Sequence, residues 1–349
     1  MKILHAPTNT GGNPARLSRA EREIGLISDV MVFDSNWLNY PADINLNFNK
    51  LNRLQRELVR DKFIINAIRK YDVFNFNFAE TLLNFPRLNL YNVDLPILKM
   101  FRKKILVIFQ GCDMRLKGYS KENFKISACS ECIDSRCTEK SDIRKQEKYK
   151  KFKKYAKKIY SLNPDLINYY PDAEFLPYAG VDLEEWIPHR FNKNSKIKII
   201  HAPTDRGKKG TRYVEETVEK IKEKGINVEL IIVEGLPYEK VKEIYNEADI
   251  AVDQLLVGWY GSFAVEMMAL EKPVVCYIRE EDLKFIPSEM KEDLPVVHST
   301  KDDLFEKLIM LIENSKLRKE LGEKGRNFVE KWHNSINIAK KLREEVYIT

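Results

Sequence analysis

Short apolar runs recur along the chain, and stretches of helical periodicity separate them. Ile3-Leu4 comes first, then Asp29 to Phe33, Asp72 to Phe76 and Ile105 to Phe109; later come Ile199-Ile200, Val228 to Val233, Asp249 to Val252 and Pro273 to Ile278. They are rich in Ile, Val, Leu or Phe, and Ile105 to Phe109 has the length of a buried strand. Between the early runs, Leu51 to Arg69 repeats apolar residues with a helical period. After Ile199-Ile200, the residues Tyr213, Thr217, Val218 and Ile221 fall on one helical face. Strands alternating with helices predict parallel sheets covered on both faces, an α/β architecture.

The alternation is organised by an internal repeat. Residues 2–12 read KILHAPTNTGG and residues 198–208 read KIIHAPTDRGK. Each copy starts with a β-branched run, continues through a Pro-Thr turn that carries Gly, and enters an amphipathic helix. Strand, glycine-bearing turn and helix make the opening unit of a Rossmann-like domain. Two copies predict two such domains in tandem. The Trp186-Ile187-Pro188-His189 segment, followed by polar Asn192 to Ser195, reads as the linker. The expected domains are therefore 1–187 and 188–332, with residues 333–349 packing back on the first.

Composition narrows the class. A chain of 349 residues suits two domains, and 44% hydrophobic residues suffice for two buried cores. The net charge of +7 favours phosphate-bearing ligands or an anionic surface without choosing between them. No apolar run has the length of a membrane span. The opening Met1 to Pro7 turns polar too early for a secretory leader, so the expected location is the cytoplasm. Five cysteines in a reducing compartment argue against a disulfide scaffold.

Ligands of open α/β sheets sit beyond the carboxyl ends of the strands. Asp205-Arg206-Gly207-Lys208-Lys209-Gly210 falls there in the second half. Arg206 offers a planar fork of donors, Lys209 a point charge, and a helix N-terminus follows. Together they read as a diphosphate cradle, or as a solvated basic turn. Gly235, after the next strand, is a further position for close approach. Gly258-Trp259-Tyr260-Gly261-Ser262-Phe263 precedes another helix start, where the backbone from Tyr260 to Phe263 could meet an anion. Glu266, one turn inside that helix, could accept hydrogen bonds from the vicinal hydroxyls of a ribose; the structural alternative is a helix-edge Glu paired with a cation.

These residues resemble the group 1 family of retaining glycosyltransferases, which have the GT-B fold: two Rossmann-like domains around an interdomain cleft. The likeness is strongest from 196 to 278. The family carries an Arg and then Lys-Gly after the first strand of its C-terminal domain, matching Arg206 and Lys209-Gly210. By resemblance these bind the donor diphosphate. The family's Glu-x7-Glu motif ends in Glu-Ala-Met-Ala-x-Gly-Lys-Pro-Val; here Glu266-Met267-Met268-Ala269-Leu270-Glu271-Lys272-Pro273-Val274 stands in its place, and Glu266 takes the ribose-binding role. The motif's first Glu falls on Gly258, which leaves the sugar open. Gly11-Gly12 resembles the family's glycine loop over donor and acceptor. Gln110-Gly111-Cys112-Asp113 stands where many relatives have a His, so no general base is indicated. Asp113 is kept as a catalytic candidate beside the reading of a strand-capping turn. Gly180-Val181-Asp182 resembles the triplet before the family's interdomain linker.

Two further features lie outside that pattern. Cys129-x2-Cys132-x4-Cys137, with Cys112 upstream, could close a structural zinc site. An iron–sulfur cluster, a disulfide and four reduced thiols are the other readings. Residues 144–158 hold nine Lys or Arg against one acid, with Tyr149, Phe152, Ala156 and Ile159 as an inner stripe. A solvated helix face explains the charge; so does attraction to the cytoplasmic face of an anionic membrane, where a lipid-linked acceptor would be met. No nucleic-acid-binding motif accompanies it. The expected function is transfer of a sugar from a nucleoside-diphosphate sugar to a sugar, lipid-linked or other glycan acceptor, with retention and with no cofactor in catalysis. The alternatives are a sugar-nucleotide epimerase and a non-catalytic nucleotide-binding protein of the same fold.

Overall fold

The computed structural model describes all residues except 36–39, 189–195, 237 and 349. The chain forms two compact units. The first comprises Met1–Leu116, Cys137–Ala179 and Ser335–Thr349; the second comprises Lys117–Arg136 and Gly180–Asn334. The change of unit thus falls at Ala179/Gly180, ahead of the expected 187. Most of the expected linker, 189–195, lies outside the described residues. The excursion 117–136 into the second unit has no counterpart in the sequence reading, because its short helices carry no strong apolar period.

The first unit is one seven-stranded sheet in the order β3-β2-β1-β4-β5-β6-β7. Its strands are β1 Lys2–Ala6, β2 Ile27–Val32, β3 Ile44–Asn45, β4 Val73–Asn77, β5 Lys104–Phe109, β6 Lys158–Ser161 and β7 Glu174–Phe175. All neighbouring pairs are parallel. Central strands are buried on both faces, and Ile105 to Phe109 are all inaccessible, as a parallel sheet under helices requires. The second unit is a five-stranded parallel sheet in the order β12-β11-β10-β8-β9. Its strands are β8 Ile197–His201, β9 Val228–Ile232, β10 Ile250–Val252, β11 Val274–Cys276 and β12 Val297–His298. The helix Thr211–Glu223 lays Val214, Val218 and Ile221 on this sheet, against Ile199, Ile250 and Leu308. Strand order reverses between β1 and β4 in one unit and between β8 and β10 in the other. Those two points are where each sheet can open a ligand crevice.

The repeated histidines show how one motif serves two settings. His5 of β1 lies 2.8 Å from the buried Glu21 carboxylate, which also accepts from Ser28 Oγ at 2.6 Å and from Tyr347 Oη at 2.5 Å. Residues 5, 28 and 347 therefore meet on one carboxylate. This is what ties the C-terminal helix Ser335–Leu342, and the turn after it, into the first unit. In the second unit His201 lies between the Val252 carbonyl at 2.8 Å and Thr211 Oγ1 at 2.9 Å. A carbonyl can only accept, so Nδ1 carries the proton and Nε2 accepts from Thr211. Burial pushes the His201 imidazole down to about 4, which keeps it neutral.

The basic stretch divides differently from its predicted stripe. The helix is Glu139–Tyr155, opened by a capping box between Thr138 and Ser141. It stops because Ala156 is extended and the chain enters β6, so Ile159 is a strand residue. Phe152 is fully buried. The lysines do not all face water: Lys148 is buried and paired with Glu80 at 2.5 Å, and Lys145 donates to the Arg115 carbonyl at 2.6 Å.

Candidate functional site

In the second unit, the loops after β8 and β10 come together at the switch point. The β8 loop turns through Asp205, whose side chain accepts from Lys208 N at 3.0 Å and caps the short helix Arg206–Lys209. Gly210 ends that turn at φ +77, with Leu255 and Tyr213 atoms 3.3 Å from where a Cβ would stand, so only glycine fits. The turn aims Lys209 inward. Its Nζ lies 2.8 Å from Oδ1 of Asp253, the residue just after β10. The other oxygen of Asp253 accepts from Gly261 N at 2.6 Å. Gly261 is the N-cap of the helix Ser262–Ala269. One inaccessible carboxylate thus joins the lysine, the strand end and the helix start. Sequence reasoning missed Asp253. The available signal was an acid directly after an apolar strand, eight residues before a Gly-capped helix.

Arg206 stands further out. It is about half exposed and pairs with Glu215 at 3.0 Å and Glu234 at 3.1 Å. A ligand phosphate would exchange with these carboxylates. Gly235 follows Glu234 at φ +67 with open space around it. A cavity of about 420 Å³ opens here, lined by Arg206, Gly207, Gly210, Arg212, Glu131 and Glu215. Glu266 is buried in the second turn of the helix Ser262–Ala269.

The side chains of this loop pack into the unit, and one of the backbone amides expected to meet a ligand is already engaged. The Tyr260 side chain is core: its hydroxyl lies 2.8 Å from His333 Nε2 and its ring packs 4.4 Å from Trp259. Phe263 packs edge-on against Tyr245 at 5.1 Å, so it too is structural. The Gly261 amide is already given to Asp253. Ser262, at the helix start, keeps its expected place. Gly258, where the family has an acid, is explained by packing. It sits at φ +92, and a Cβ there would fall 2.8 Å from the Arg279 guanidinium. Arg279 is buried, bonded to Asp282 at 2.9 Å and to the Ile126 carbonyl at 2.9 Å, and stacked 3.7 Å from the Phe124 ring centre. An arginine that holds the 117–136 excursion occupies the space that a side chain at 258 would need.

In the first unit, Gly11 and Gly12 both have left-handed conformations, at φ 62 and 68, in the loop after β1. Arg16 donates to the Gly11 carbonyl at 2.9 Å, and the Tyr40 ring lies 2.8 Å from a Cβ built on Gly12. The loop has the expected backbone and is held from both sides. Asp113 is corrected from catalytic candidate to turn former. Its oxygens accept from Gly111 N at 2.6 Å and from Gln110 N at 3.1 Å. Desolvation pushes its carboxyl up to about 6. Gln110 Nε2 donates to Asn77 Oδ1 at 3.2 Å. Of the four cysteines, Cys112 is exposed and Cys129, Cys132 and Cys137 are half-buried. Among the described residues no three His, Cys, Asp or Glu side chains are placed to hold a metal. Nor, among them, is any helix long and apolar enough to cross a membrane.

The profile of the family described as "Glycosyl transferases group 1" matches residues 207–328, from the Arg206–Lys209 turn through most of the second unit. Over that segment the chain is similar to the group 1 glycosyltransferases. A relative described as an uncharacterized glycosyltransferase of Methanocaldococcus jannaschii is 37% identical over 89 residues, a match spanning 25% of this chain and 25% of the relative. Solved structures extend the likeness of fold to the whole chain. Sucrose-phosphate synthase from Thermosynechococcus elongatus aligns with a TM-score of 0.61 and 13% identity, covering 98% of this chain and 97% of that one. Anabaena HepE in complex with UDP-glucose aligns at 0.60 and 12%, covering 99% and 98%. The two parallel-sheet units have the GT-B fold that the family resemblance implied.

Proposed function

We propose that the chain is a glycosyltransferase that takes a sugar from a nucleoside-diphosphate donor held on the second unit. The observation that carries this is the Lys209–Asp253–Gly261 arrangement at the β8/β10 switch point, inside the segment matched by the group 1 family. In this reading Lys209 and the start of the helix Ser262–Ala269 meet the diphosphate, Arg206 leaves its two glutamates for it, and Glu266 accepts from the ribose hydroxyls. A neighbour of the same fold is described in complex with UDP-glucose, which supports this donor class.

Transfer with retention needs no general base from the chain. The bond from the sugar's anomeric carbon to the phosphate oxygen breaks as the bond to the acceptor oxygen forms on the same face. The acceptor's proton passes to the leaving phosphate. The protein contributes position and charge stabilisation, the latter chiefly from Lys209 and Arg206 at the developing negative charge. In this reading two cations and a helix end would meet the phosphates, so no metal is invoked for this role. The acceptor in this reading is a sugar, lipid-linked or other glycan, with the basic helix of the first unit turned to a membrane. Incubation with a panel of radiolabelled nucleoside-diphosphate sugars tests the activity. Transfer or slow hydrolysis of one donor is the expected result. Tight nucleotide binding with no turnover on any donor would favour the non-catalytic reading.

A further inference from the structure

The first unit carries a second pocket that the donor chemistry does not use. It has a volume of about 500 Å³ and lies along the helix Glu139–Tyr155. Lys140, Arg144, Lys148 and Lys151 line it, with Glu147 as the sole acid and Tyr91 as its aromatic wall. Arg144 and Lys148 stand over the Tyr91 ring at 5.0 and 5.5 Å from its centre. Lys151 is fixed to the Tyr91 carbonyl at 2.5 Å. Glu147 is drawn outward to Lys150, 2.7 Å away and outside the lining. Lys148 is met by Glu80, but Lys140, Arg144 and Lys151 share the wall and repel one another, so an anion bound among them would relieve that repulsion.

The rim is apolar where water would be expected. Phe85 and Leu90 close a small hairpin by two backbone bonds, Phe85 N to Leu90 O at 2.7 Å and Leu90 N to Phe85 O at 3.2 Å. Its tip is Pro86-Arg87-Leu88-Asn89, and Asn89 lines the pocket. Leu88 is 69% exposed and Leu90 45%; Ile143, also in the lining, is 54% exposed. A soluble phosphate would use the cations and give these three residues nothing to do. An anionic bilayer uses both sets: headgroup phosphates in the basic pocket, and leucines at the acyl boundary.

We propose that the pocket of Tyr91, Lys140, Arg144 and Lys151, with the Leu88–Leu90 hairpin, is a docking site for an anionic lipid surface. This deepens the membrane-facing part of the function proposed above and is independent of the donor site. The test is co-sedimentation of the full chain with vesicles of phosphatidylcholine alone, or of phosphatidylcholine with phosphatidylglycerol. Binding should require phosphatidylglycerol and weaken with salt. Lys140→Ala with Arg144→Ala should lower the partition about 25-fold, the product of about fivefold for each basic residue near such a surface. Leu88→Ser with Leu90→Ser should lower it by about tenfold or more. All four side chains are exposed, and unchanged melting temperature and nucleoside-diphosphate binding in both variants would confirm that only docking was altered.

Three results would overturn the proposal: equal binding to both vesicle types, full binding by the leucine variant with competition by inorganic phosphate, or preferential displacement by RNA. The second would make the pocket a soluble-phosphate site, and the third a nucleic-acid site. Loss of donor binding by the wild-type chain would contradict the donor reading alone.

Discussion

Asp253→Asn is the substitution whose consequences follow most directly from the geometry. The wild-type carboxylate has two acceptors and two donors to meet: Lys209 Nζ at 2.8 Å and Gly261 N at 2.6 Å. An asparagine keeps one acceptor and turns the other position into an NH₂. Whichever way the amide faces, a donor meets a donor, and a 1% exposed position gives water little room to intervene. A charge-assisted bond is worth roughly 1.5–3 kcal/mol, and removing one partner of a buried pair costs roughly 3–5 kcal/mol. Lys209 is 14% exposed and can recover part of its hydration, so the lower half of that span, about 2–3 kcal/mol, is expected. The assay is urea unfolding of wild type, Asp253→Asn, Lys209→Met and the double variant, with UDP and the other nucleoside diphosphates titrated into each. The cycle should show a coupling of at least about 1.5 kcal/mol, and the Asn variant should bind nucleotide more weakly because Lys209 is no longer aimed. Additive single effects, or an Asn variant as stable and as tight-binding as wild type, would refute the reasoning.

Other substitutions probe the surroundings. Arg206→Ala should leave stability within about 0.5 kcal/mol, since its ion pairs are half exposed, yet weaken nucleoside-diphosphate binding by about 1.5–3 kcal/mol; titration calorimetry beside a melting curve separates the two. Gly258→Glu, which would restore the family's acid, should instead destabilise the second unit by more than about 2 kcal/mol through its positive φ and the Arg279 contact; a stable, more active variant would contradict this. His201 is held at about 4, below the ordinary 6.5, so between those values the unfolded chain binds the extra proton and stability falls on acidification. Wild type should lose about 3 kcal/mol between pH 7 and pH 4 that His201→Gln does not lose, and parallel pH–stability curves for the two would count against the assignment.

The architecture was readable where burial is complete. Ile199, Ile200, Ile105 and Phe109 sit in strands covered on both faces, so their runs are continuously apolar and the repeat stands out. Strands β3, β7 and β12 have two residues each, too few to establish any period. β6 was concealed because Lys158 continues the run of lysines that ends the preceding helix. At the site, Lys209 and Gly261 were legible from turn chemistry and helix starts. Asp253 was not, because its meaning depends on a lysine 44 positions away that only the sheet order brings near. The gap at Gly258 was visible, but its cause is Arg279, a residue with no mark in the sequence beyond an arginine after a strand. The cysteine spacing suggested a metal site, and among the described residues no group of three or more His, Cys, Asp or Glu is placed to hold an ion.

The central claim is that the loops after β8 and β10 hold a nucleoside diphosphate. Equilibrium titration of UDP, GDP, ADP, CDP and dTDP into the wild-type chain and into Lys209→Met tests it directly. Wild type should show saturable binding with a preference for one base. Lys209→Met, still folded, should bind that nucleotide about ten- to a hundredfold more weakly, the loss of one charge-assisted contact. The account would be contradicted if no nucleoside diphosphate bound, or if Lys209→Met bound it as tightly as wild type.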